Sequence, residues 1–358
     1  MKNIKKIIAL VIAALMLAAL ASCNGTGTGT DNTTSPATGT ADNTSKTYKV
    51  GICNYVDDAS LNQIVANIKS QLEKIGTEKN VKFDIEYDNC NADKNVLSQI
   101  ITNFVAEKVD LMVGVATPVA TAMQAATAEN KIPVVFSAVS DPMSVELVSS
   151  LEKPGANITG TSDFLNTDAI FDIMFAQNPD IKTVGLLYDV GQDSSATPIA
   201  SAKAYLDKKG VAYKEYTGTT IDEVRLAAQS AVLDKVDAVF TPTDNTIMKS
   251  ELSIYETFAQ AKIPHYTGAD SFALNGAFMG YGVDYANLGV ETANMVADIL
   301  INGKNPGDVP VMTFDNGTAT VNTDICKELG LDYDAVAKTF APFCTKVQPI
   351  QTAEEFEN

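Results

Sequence analysis

The sequence predicts an α/β protein built from two doubly wound lobes. Short apolar runs alternate with amphipathic segments of about 10–16 residues, a pattern typical of parallel sheets covered by helices. The order of motifs also repeats. Val109-Asp110 and Val236-Asp237 each open an apolar run, which is followed by a Thr-Pro loop, a helix and a Lys-Ile-Pro turn. From about residue 48 the chain is roughly 310 residues long, more than a single core usually serves, which favours two domains.

The first 23 residues have the pattern of an export signal. Lysines within the first six residues precede an apolar run, residues 7–21, and small residues then lead to Cys23. The run is shorter than the ~20 residues that span a bilayer, and small residues before a cysteine resemble a bacterial lipobox. We expect Cys23 to become the lipidated mature N-terminus, which would anchor the protein on the extracytoplasmic face of the cell membrane. An ordinary signal peptide with an incidental cysteine is the alternative.

Residues 24–47 are rich in Gly, Thr, Asn and Ser and predict a flexible tether, because such a segment can bury little apolar surface. The first lobe then begins with a buried strand and an amphipathic helix that ends at Gly76. The predicted strands of this lobe are residues 48–54, 82–87, 111–115 and 134–138, and the predicted helices are 60–75, 95–107 and 118–129.

The second lobe repeats this alternation. Its predicted strands are residues 183–188, 212–216, 238–241 and 265–268, and its predicted helices are 197–208, 221–233 and 246–261. An apolar helix, residues 288–301, is expected to return to the first lobe, which makes the domains discontinuous. After residue 315 we expect a strand, a helix from Asp324 that stops at Gly330, a further short helix and a frayed acidic end, residues 346–358.

Composition argues against several classes of function. A net charge of −18 and a pI near 4.4 disfavour nucleic acid or an anionic membrane face as partner. His265 is the one histidine, which disfavours a histidine-rich metal site and a Ser-His-Asp triad. The sequence has no G-x-S-x-G, Walker or C-x-x-C motif, and Asp57-Asp58 predicts a solvated helix start rather than a pair of glycosidase carboxylates. We therefore expect no enzyme, no cofactor and no metal.

The cysteines beyond Cys23 are Cys53, Cys90, Cys326 and Cys344. Their spacing forms no metal or redox motif. An exported chain could pair them or bury them as free thiols, and the sequence leaves both states open.

Several segments in consistent order carry a family resemblance. Beside the lipobox they are Asn54-Tyr55-Val56, VGVATP at 113–118, FSAVSDP at 136–142, LEKPGANITGTSD at 151–163, VGLLY at 184–188, PTDNT at 242–246 and DYANLG at 284–289. Together they resemble the substrate-binding lipoproteins of ABC importers, in the branch associated with tryptophan, tyrosine and other aromatic or hydrophobic amino acids. The resemblance implies a periplasmic-binding-protein type of fold, in which two lobes joined at a hinge close over a small ligand and deliver it to a membrane permease. We expect a monomer.

The resemblance also implies where the chain crosses between the lobes, namely near residues 160–162, 282–284 and 313–316. We therefore predict lobe 1 from residues 48–161 plus 285–313 and lobe 2 from residues 162–284 plus 314–345. The remaining segments are the signal (1–23), the tether (24–47) and the tail (346–358).

The loops that follow the predicted strands are polar and contain no basic residue, which predicts a ligand cleft beyond the carboxyl ends of the strands. Arg225, the one arginine, is expected on a solvated helix face. The turn Ala116-Thr117-Pro118 is a better candidate for an α-carboxylate, because a helix start offers free N–H groups and a favourable dipole. Ser137 and Thr243 could add hydroxyl donors.

An α-ammonium group needs a carboxylate partner, because an unpaired buried charge costs several kcal/mol. Asp163 and Asp270 are the main candidates, whereas Asp141 precedes a proline and could equally cap the next segment. Amide groups could bond to either end of the ligand and aromatic rings could cover its side chain. These further candidates are Asn54, Asn245, Tyr55 and Tyr281, with Phe136 as a cleft wall or as ordinary core.

Other functions remain open on the sequence alone. The same closure could signal to a separate receptor instead of feeding a permease, or the ligand could be a solute other than an amino acid. A lipoprotein enzyme is a further alternative, which would form a product rather than show simple saturation.

Overall fold

Two β-sheets, each covered by helices, organise this protein. The structure is a computed structural model that describes residues 45–314 and 317–353. The predicted signal, the lipidation at Cys23 and the tether up to residue 44 lie outside the described residues.

The first sheet belongs to lobe 1 and is parallel throughout, with the strand order β11-β5-β4-β3-β1-β2. Its strands are β1 (Thr47–Asn54), β2 (Lys82–Asn89), β3 (Leu111–Val115), β4 (Val134–Ser137), β5 (Ile158–Ser162) and β11 (Met312–Thr313). The helices of this lobe are α1 (Ala59–Lys79), α2 (Lys94–Ala106), α3 (Thr117–Ala126) and α10 (Tyr285–Leu300).

The second sheet belongs to lobe 2 and has the strand order β13-β12-β10-β9-β8-β6-β7. Its strands are β6 (Thr183–Tyr188), β7 (Ala212–Thr217), β8 (Ala238–Thr241), β9 (His265–Thr267), β10 (Met279–Gly282), β12 (Thr318–Asn322) and β13 (Lys346–Ile350). The β10–β12 pair is antiparallel and the other pairs are parallel. The helices are α4 (Thr167–Gln177), α5 (Asp193–Lys209), α6 (Ile221–Leu233), α7 (Asn245–Ser250), α8 (Tyr255–Gln260), α9 (Asp270–Leu274), α11 (Thr323–Leu329) and α12 (Tyr333–Phe340).

The repeated motifs produce the same local structure in both lobes. The orders β2-β1-β3-β4-β5 and β7-β6-β8-β9-β10 are equivalent, which confirms the predicted doubly wound α/β class. Asp110 and Asp237 each use a carboxylate oxygen to accept a backbone N–H of β1 or just before β6, at 2.7 and 2.8 Å. Lys131 and Lys262 open the two Lys-Ile-Pro turns with φ of 58° and 60°.

The chain passes between the sheets from β5 to α4, from β10 to α10 and from β11 to β12. Helix α10 returns to lobe 1 and packs on α1 at Gly289, where an added Cβ would lie 2.5 Å from the carbonyl oxygen of Ile64. We propose the lobe boundaries predicted above, and these three connections support them.

Two predicted segments differ from the structure. The single helix predicted over 246–261 is wrong: α7 and α8 are separated by a 3₁₀ turn, Glu251–Ser253, because the buried Glu251 turns inward to His265 (3.1 Å). The frayed end predicted from residue 346 is wrong over its first five residues, which form β13 beside β12. Pro349 argued against a strand here, but β13 lies at the edge of the sheet, where proline is tolerated.

No helix in the described ranges combines the length and apolar character needed to cross a membrane. Within the same residues, no three His, Cys, Asp or Glu side chains converge as metal ligands. The four cysteines Cys53, Cys90, Cys326 and Cys344 are free thiols.

Candidate ligand-binding site

A small enclosed cavity lies where the carboxyl ends of the two sheets face each other. It has a volume of about 20 Å³, enough for about one water molecule. It is lined by Ser60, Leu61, Ala116, Thr117, Ala138 and Ser140 of lobe 1, by Asp163 and Tyr285 at the crossings, and by Ser194, Thr243, Asn245 and Met248 of lobe 2. An amino acid can enter only after the lobes or the lining side chains move apart.

The start of α3 forms one wall of the cavity. Ala116 lies between β3 and α3 with φ 76° and ψ 155°, a backbone conformation that costs a residue other than glycine about 1–3 kcal/mol. This turn brings Thr117 and the first turn of α3 to the cavity, and no side chain caps the helix. The predicted anion-binding helix start is therefore placed in the cavity wall, where the dipole favours negative charge.

Asp163 lies at the first crossing, immediately after β5, and is 6% exposed. It accepts hydrogen bonds from the Ser140 hydroxyl (3.0 Å) and from the phenol of Tyr285. Burial raises the pKa of the Asp163 carboxyl to about 6. Burial and the neighbouring carboxyls hold the pKa of Tyr285 well above its usual range, so its phenol keeps its proton and donates it.

Asp270 and Asp58 lie behind this wall. The hydroxyl of Ser60, which lines the cavity, donates to Asp270 across the lobe interface (2.6 Å). Asp58 caps α1 by accepting the N–H of Leu61 (3.1 Å). Burial raises the pKa of both carboxyls to about 6. The prediction that Asp58 is solvated is wrong, because the loops of lobe 2 cover this helix start and leave the side chain 7% exposed.

The PTDNT segment of lobe 2 supplies the opposite wall. Thr243 and Asn245 line the cavity, and the Thr243 hydroxyl meets the Ser140 hydroxyl of lobe 1 at 3.0 Å. Asp244, between them, accepts the Ser195 hydroxyl (2.7 Å) and the backbone N–H of Asp189 (2.8 Å). Asp244 therefore fixes the loops that carry the two cavity residues.

Three predicted site residues belong to the protein core. The hydroxyl of Ser137 meets that of Thr292 on α10 at 2.8 Å, and Tyr281 packs in the core of lobe 2. Asn54 donates to Asn62 (3.1 Å), and its buried Oδ1 has no hydrogen-bond partner among residues 45–314 and 317–353. Phe136 is also fully buried in the core, which is one of the two roles predicted for it.

Tyr55 and Asp141 lie at the rims of the interface between the lobes and do not line the cavity. Tyr55 is hydrogen-bonded to Gln192 of lobe 2 and lines an outer groove of about 810 Å³ between α2, α3 and residues 191–193. Asp141 accepts the Thr197 hydroxyl of α5 at 2.9 Å, so it joins the lobes on another side. Arg225 pairs with Asp222 on the exposed face of α6, as expected.

Five predicted residues thus meet at one cavity: Ala116, Thr117, Asp163, Thr243 and Asn245. Asp270 reaches it through Ser60. Sequence reasoning missed Ser60, Ser140 and Tyr285, although Ser140 and Tyr285 lie in the FSAVSDP and DYANLG segments. No lysine, arginine or histidine is among the described lining residues. The cavity therefore has the uncapped start of α3 in one wall and the buried carboxyl of Asp163 on another side.

Comparisons with known proteins agree with this arrangement. A family profile described as "ABC transporter substrate binding protein" matches residues 49–340. The chain is 30% identical over 331 residues to a tyrosine-binding protein of Clostridioides difficile (strain R20291), which covers 91% of this chain and 93% of that protein.

Two solved structures are similar to this chain at comparable identity. One is the ABC domain from Streptococcus pneumonia in complex with L-Trp, with a TM-score of 0.76 at 30% identity, covering 83% of this chain and 99% of that chain. The other is the ligand-free, open structure of a substrate-binding protein with adhesive properties from Clostridium difficile. Its TM-score is 0.64 at 32% identity, covering 86% of this chain and 100% of that chain. The TM-score is thus higher for the L-Trp complex than for the ligand-free, open structure.

Proposed function

This chain belongs to the family of ABC transporter substrate-binding proteins, and from that premise we propose that it captures an amino acid with an aromatic or hydrophobic side chain between its lobes and delivers it to an ABC import permease. The observation that carries the proposal is the cavity between the lobes, with a helix start on one side and a buried carboxyl on the other. These two features suit the two charged groups of an amino acid.

The ammonium group is assigned to Asp163. Its carboxyl faces the cavity among neutral donors, Ser140 and Tyr285, and no lining residue of the described chain offers a positive charge. A ligand ammonium would supply the missing cation, and charge-assisted hydrogen bonds of this kind are stronger than neutral ones.

The carboxylate is assigned to the first turn of α3, at Ala116 and Thr117, with the Thr243 hydroxyl as a further donor. Backbone N–H groups at a helix start bind a carboxylate without an arginine. Arg225 is exposed on α6 and takes no part.

The side chain of the ligand is assigned to the apolar part of the wall, where Leu61 and Met248 lie on opposite lobes. Methionine adapts to irregular shapes and makes favourable sulfur–aromatic contacts. The preference for tyrosine or tryptophan is supported mainly by the similar proteins, one named for tyrosine and one solved with L-Trp.

The same proposal includes export, lipidation at Cys23 and action as a monomer on the extracytoplasmic face of the membrane, without a cofactor and without catalysis. The lipobox-like sequence supports the anchor, and the family supports the location. Mass spectrometry of the membrane fraction tests the anchor: a diacylated N-terminus at Cys23 is expected, and it is lost in Cys23→Ala.

A thermal-shift screen of the chain from residue 24 against the twenty amino acids tests the ligand. Ligand at about 100 times its dissociation constant stabilises the folded state by about 2.7 kcal/mol. We expect L-tyrosine, L-tryptophan or L-phenylalanine to raise the melting temperature. Asp163→Ala should abolish the shift, whereas Asp207→Ala, at an exposed position on α5, should keep it. A shift with a different solute and with none of the amino acids would overturn the assignment.

A further inference from the structure

The phenol of Tyr285 lies among three carboxyl groups, those of Asp58, Asp163 and Asp270. They come from three separate segments: the start of α1, the end of β5 and the start of α9. Neutral groups donate hydrogen bonds to these carboxyls, among them the hydroxyls of Ser60 and Ser140, the Tyr285 phenol and the N–H of Leu61. We call these three carboxyls the acidic cluster.

The surroundings of the acidic cluster add negative charge. Asp284 caps α10, and its negative charge raises the pKa of Asp270. Asp189 and Asp244 lie in the lobe-2 loops near Tyr55. Asp57 at the start of α1 is exposed and accepts from Asn62. The described lining of the cavity contains no lysine, arginine or histidine. Hence the residues that line the cavity in the described part of the chain provide no cation for the cluster.

Burying several carboxylates together without a cation is unfavourable, and such groups reduce the cost by holding protons. Burial raises the pKa of each of the three carboxyls to about 6, and Asp58 and Asp270 repel each other as well. Because the Tyr285 phenol lies among all three carboxyls, we infer that the protonation of one affects the others.

We propose that the site takes up the ammonium group of its ligand in exchange for a proton released from the acidic cluster, so that capture requires a cationic amino group and weakens in acid. This proposal rests on the proposed function. In the exchange, the O–H bond of one protonated carboxyl breaks and the proton passes to the solvent. The ammonium keeps its three protons and pairs with the carboxylate, so this pair is neutral like the carboxyl it replaces, and the complex as a whole loses one positive charge with the released proton.

Proton exchange sets the direction of the pH dependence. Below about pH 6 the cluster holds protons that must leave before the ammonium can pair, so affinity falls as the pH falls. With one proton released per ligand, the association constant changes about tenfold per pH unit on the acid side and is level well above the pKa.

Isothermal titration calorimetry with L-tyrosine and L-tryptophan measures this release directly. At about pH 6, where a carboxyl with a pKa of about 6 is half protonated, the binding heat should differ between two buffers of different ionisation enthalpy by the amount for about half a proton released. At about pH 8, the heats in the two buffers should agree. The N-acetyl derivatives, which lack the cationic amino group, should not bind at either pH.

Two results overturn the proposal, and they are distinguishable. Saturable binding of either amino acid at about pH 6 with equal heats in both buffers would refute proton exchange and leave the proposed function standing. No binding of either amino acid at either pH would refute the proposed ligand, and proton exchange with it.

The variant Asp58→Asn tests whether the cluster acts as a unit. Asp58 does not line the cavity, and asparagine retains the helix cap, so direct ligand contacts are kept. We expect the number of protons released at about pH 6 to fall to less than half. The control Asp207→Asn, on the exposed face of α5, should release as many protons as the wild type. If Asp58→Asn releases as many protons on binding as the wild type, Asp58 does not belong to the acidic cluster.

Discussion

The Asp58 carboxyl is buried beside Asp270 at the start of α1, where it accepts backbone N–H groups of that helix start. Burial raises its pKa from 3.8 to about 6. Since one unit of pKa is 1.36 kcal/mol, the ionised side chain costs the folded state about 3 kcal/mol at neutral pH. Asp58→Asn, which keeps the cap, should therefore raise the free energy of unfolding at about pH 7.5 by about 1–3 kcal/mol.

The raised pKa of Asp58 also predicts how the free energy of unfolding depends on pH. The folded-state pKa of Asp58 lies above the unfolded value, so the folded protein binds more protons between about pH 4 and 6. Its contribution to the free energy of unfolding therefore increases as the pH falls through that window, and Asp58→Asn should flatten the curve. Urea unfolding at several pH values measures both effects. A less stable Asp58→Asn at pH 7.5, with Asp207→Asn unchanged, would contradict the argument.

The Tyr285 phenol distinguishes a cavity residue from a core residue of the same type. Tyr285→Phe removes a donor from Asp163 while keeping the ring, so the ionised carboxyl that pairs with an ammonium is less stabilised. We expect about tenfold weaker amino-acid binding by calorimetry at neutral pH. Tyr281→Phe, at the residue chosen from the sequence, should leave the affinity within about twofold, because Tyr281 lies in the lobe-2 core. If Tyr281→Phe weakened binding more than Tyr285→Phe does, the proposed ligand site would be wrong.

Side chains at loop ends could be predicted from the sequence only in part. Thr117, Asp163 and Asn245 lie within four residues after the end of a strand, and the rule that ligands lie beyond the carboxyl ends of parallel strands found them. Ser60 could not be found in this way, because its partner Asp270 is 210 residues away in the chain. Such contacts depend on how the lobes face each other, which no local pattern contains.

Helix α10 is the element that ties the second crossing to lobe 1. It packs on α1 so closely that a Cβ at Gly289 would lie 2.5 Å from the Ile64 carbonyl oxygen and 2.9 Å from Cβ of Asn67. Gly289→Ala should lower the free energy of unfolding by about 1–3 kcal/mol, since overpacking outweighs the roughly 1 kcal/mol that alanine gains as a helix former. Chemical denaturation measures the change. An equal or higher stability would mean that α1 and α10 separate without cost.

Most elements followed from hydrophobic periodicity, but helices α4 and α9 were not predicted, and two further exceptions have a tertiary cause. The repeated Lys-Ile-Pro turns and Val-Asp pairs placed β3, β4, β8 and β9 because each motif fixes its own backbone. The break between α7 and α8 was not predictable from helix patterning, since it depends on Glu251 reaching His265 on another strand. Edge strand β13 was missed because proline usually signals the end of a strand.

At the scale of the whole molecule, hydrogen bonds outside the cavity also join lobe 1 to lobe 2. The hydroxyl of Thr197 on α5 donates to Asp141 of lobe 1 (2.9 Å), and neither residue lines the cavity. Ser60–Asp270 and Ser140–Thr243 also join the lobes but lie at the site itself. The Thr197–Asp141 bond therefore allows closure to be changed without altering the residues proposed to contact the ligand.

Thr197→Val removes this bond and keeps the shape of the side chain. If the bond forms only on closure, its loss destabilises the closed, ligand-bound form by about 1 kcal/mol, which weakens binding by about fivefold. Calorimetry measures the affinity, and small-angle scattering should show the wild-type radius of gyration once ligand is saturating. Thr77→Val, at an exposed position on α1 where the hydroxyl bonds within its own helix, is the control and should bind as wild type. If Thr197→Val changes neither the affinity nor the radius of gyration without ligand, lobe closure does not depend on the Thr197–Asp141 bond, and other contacts between the lobes must hold them together.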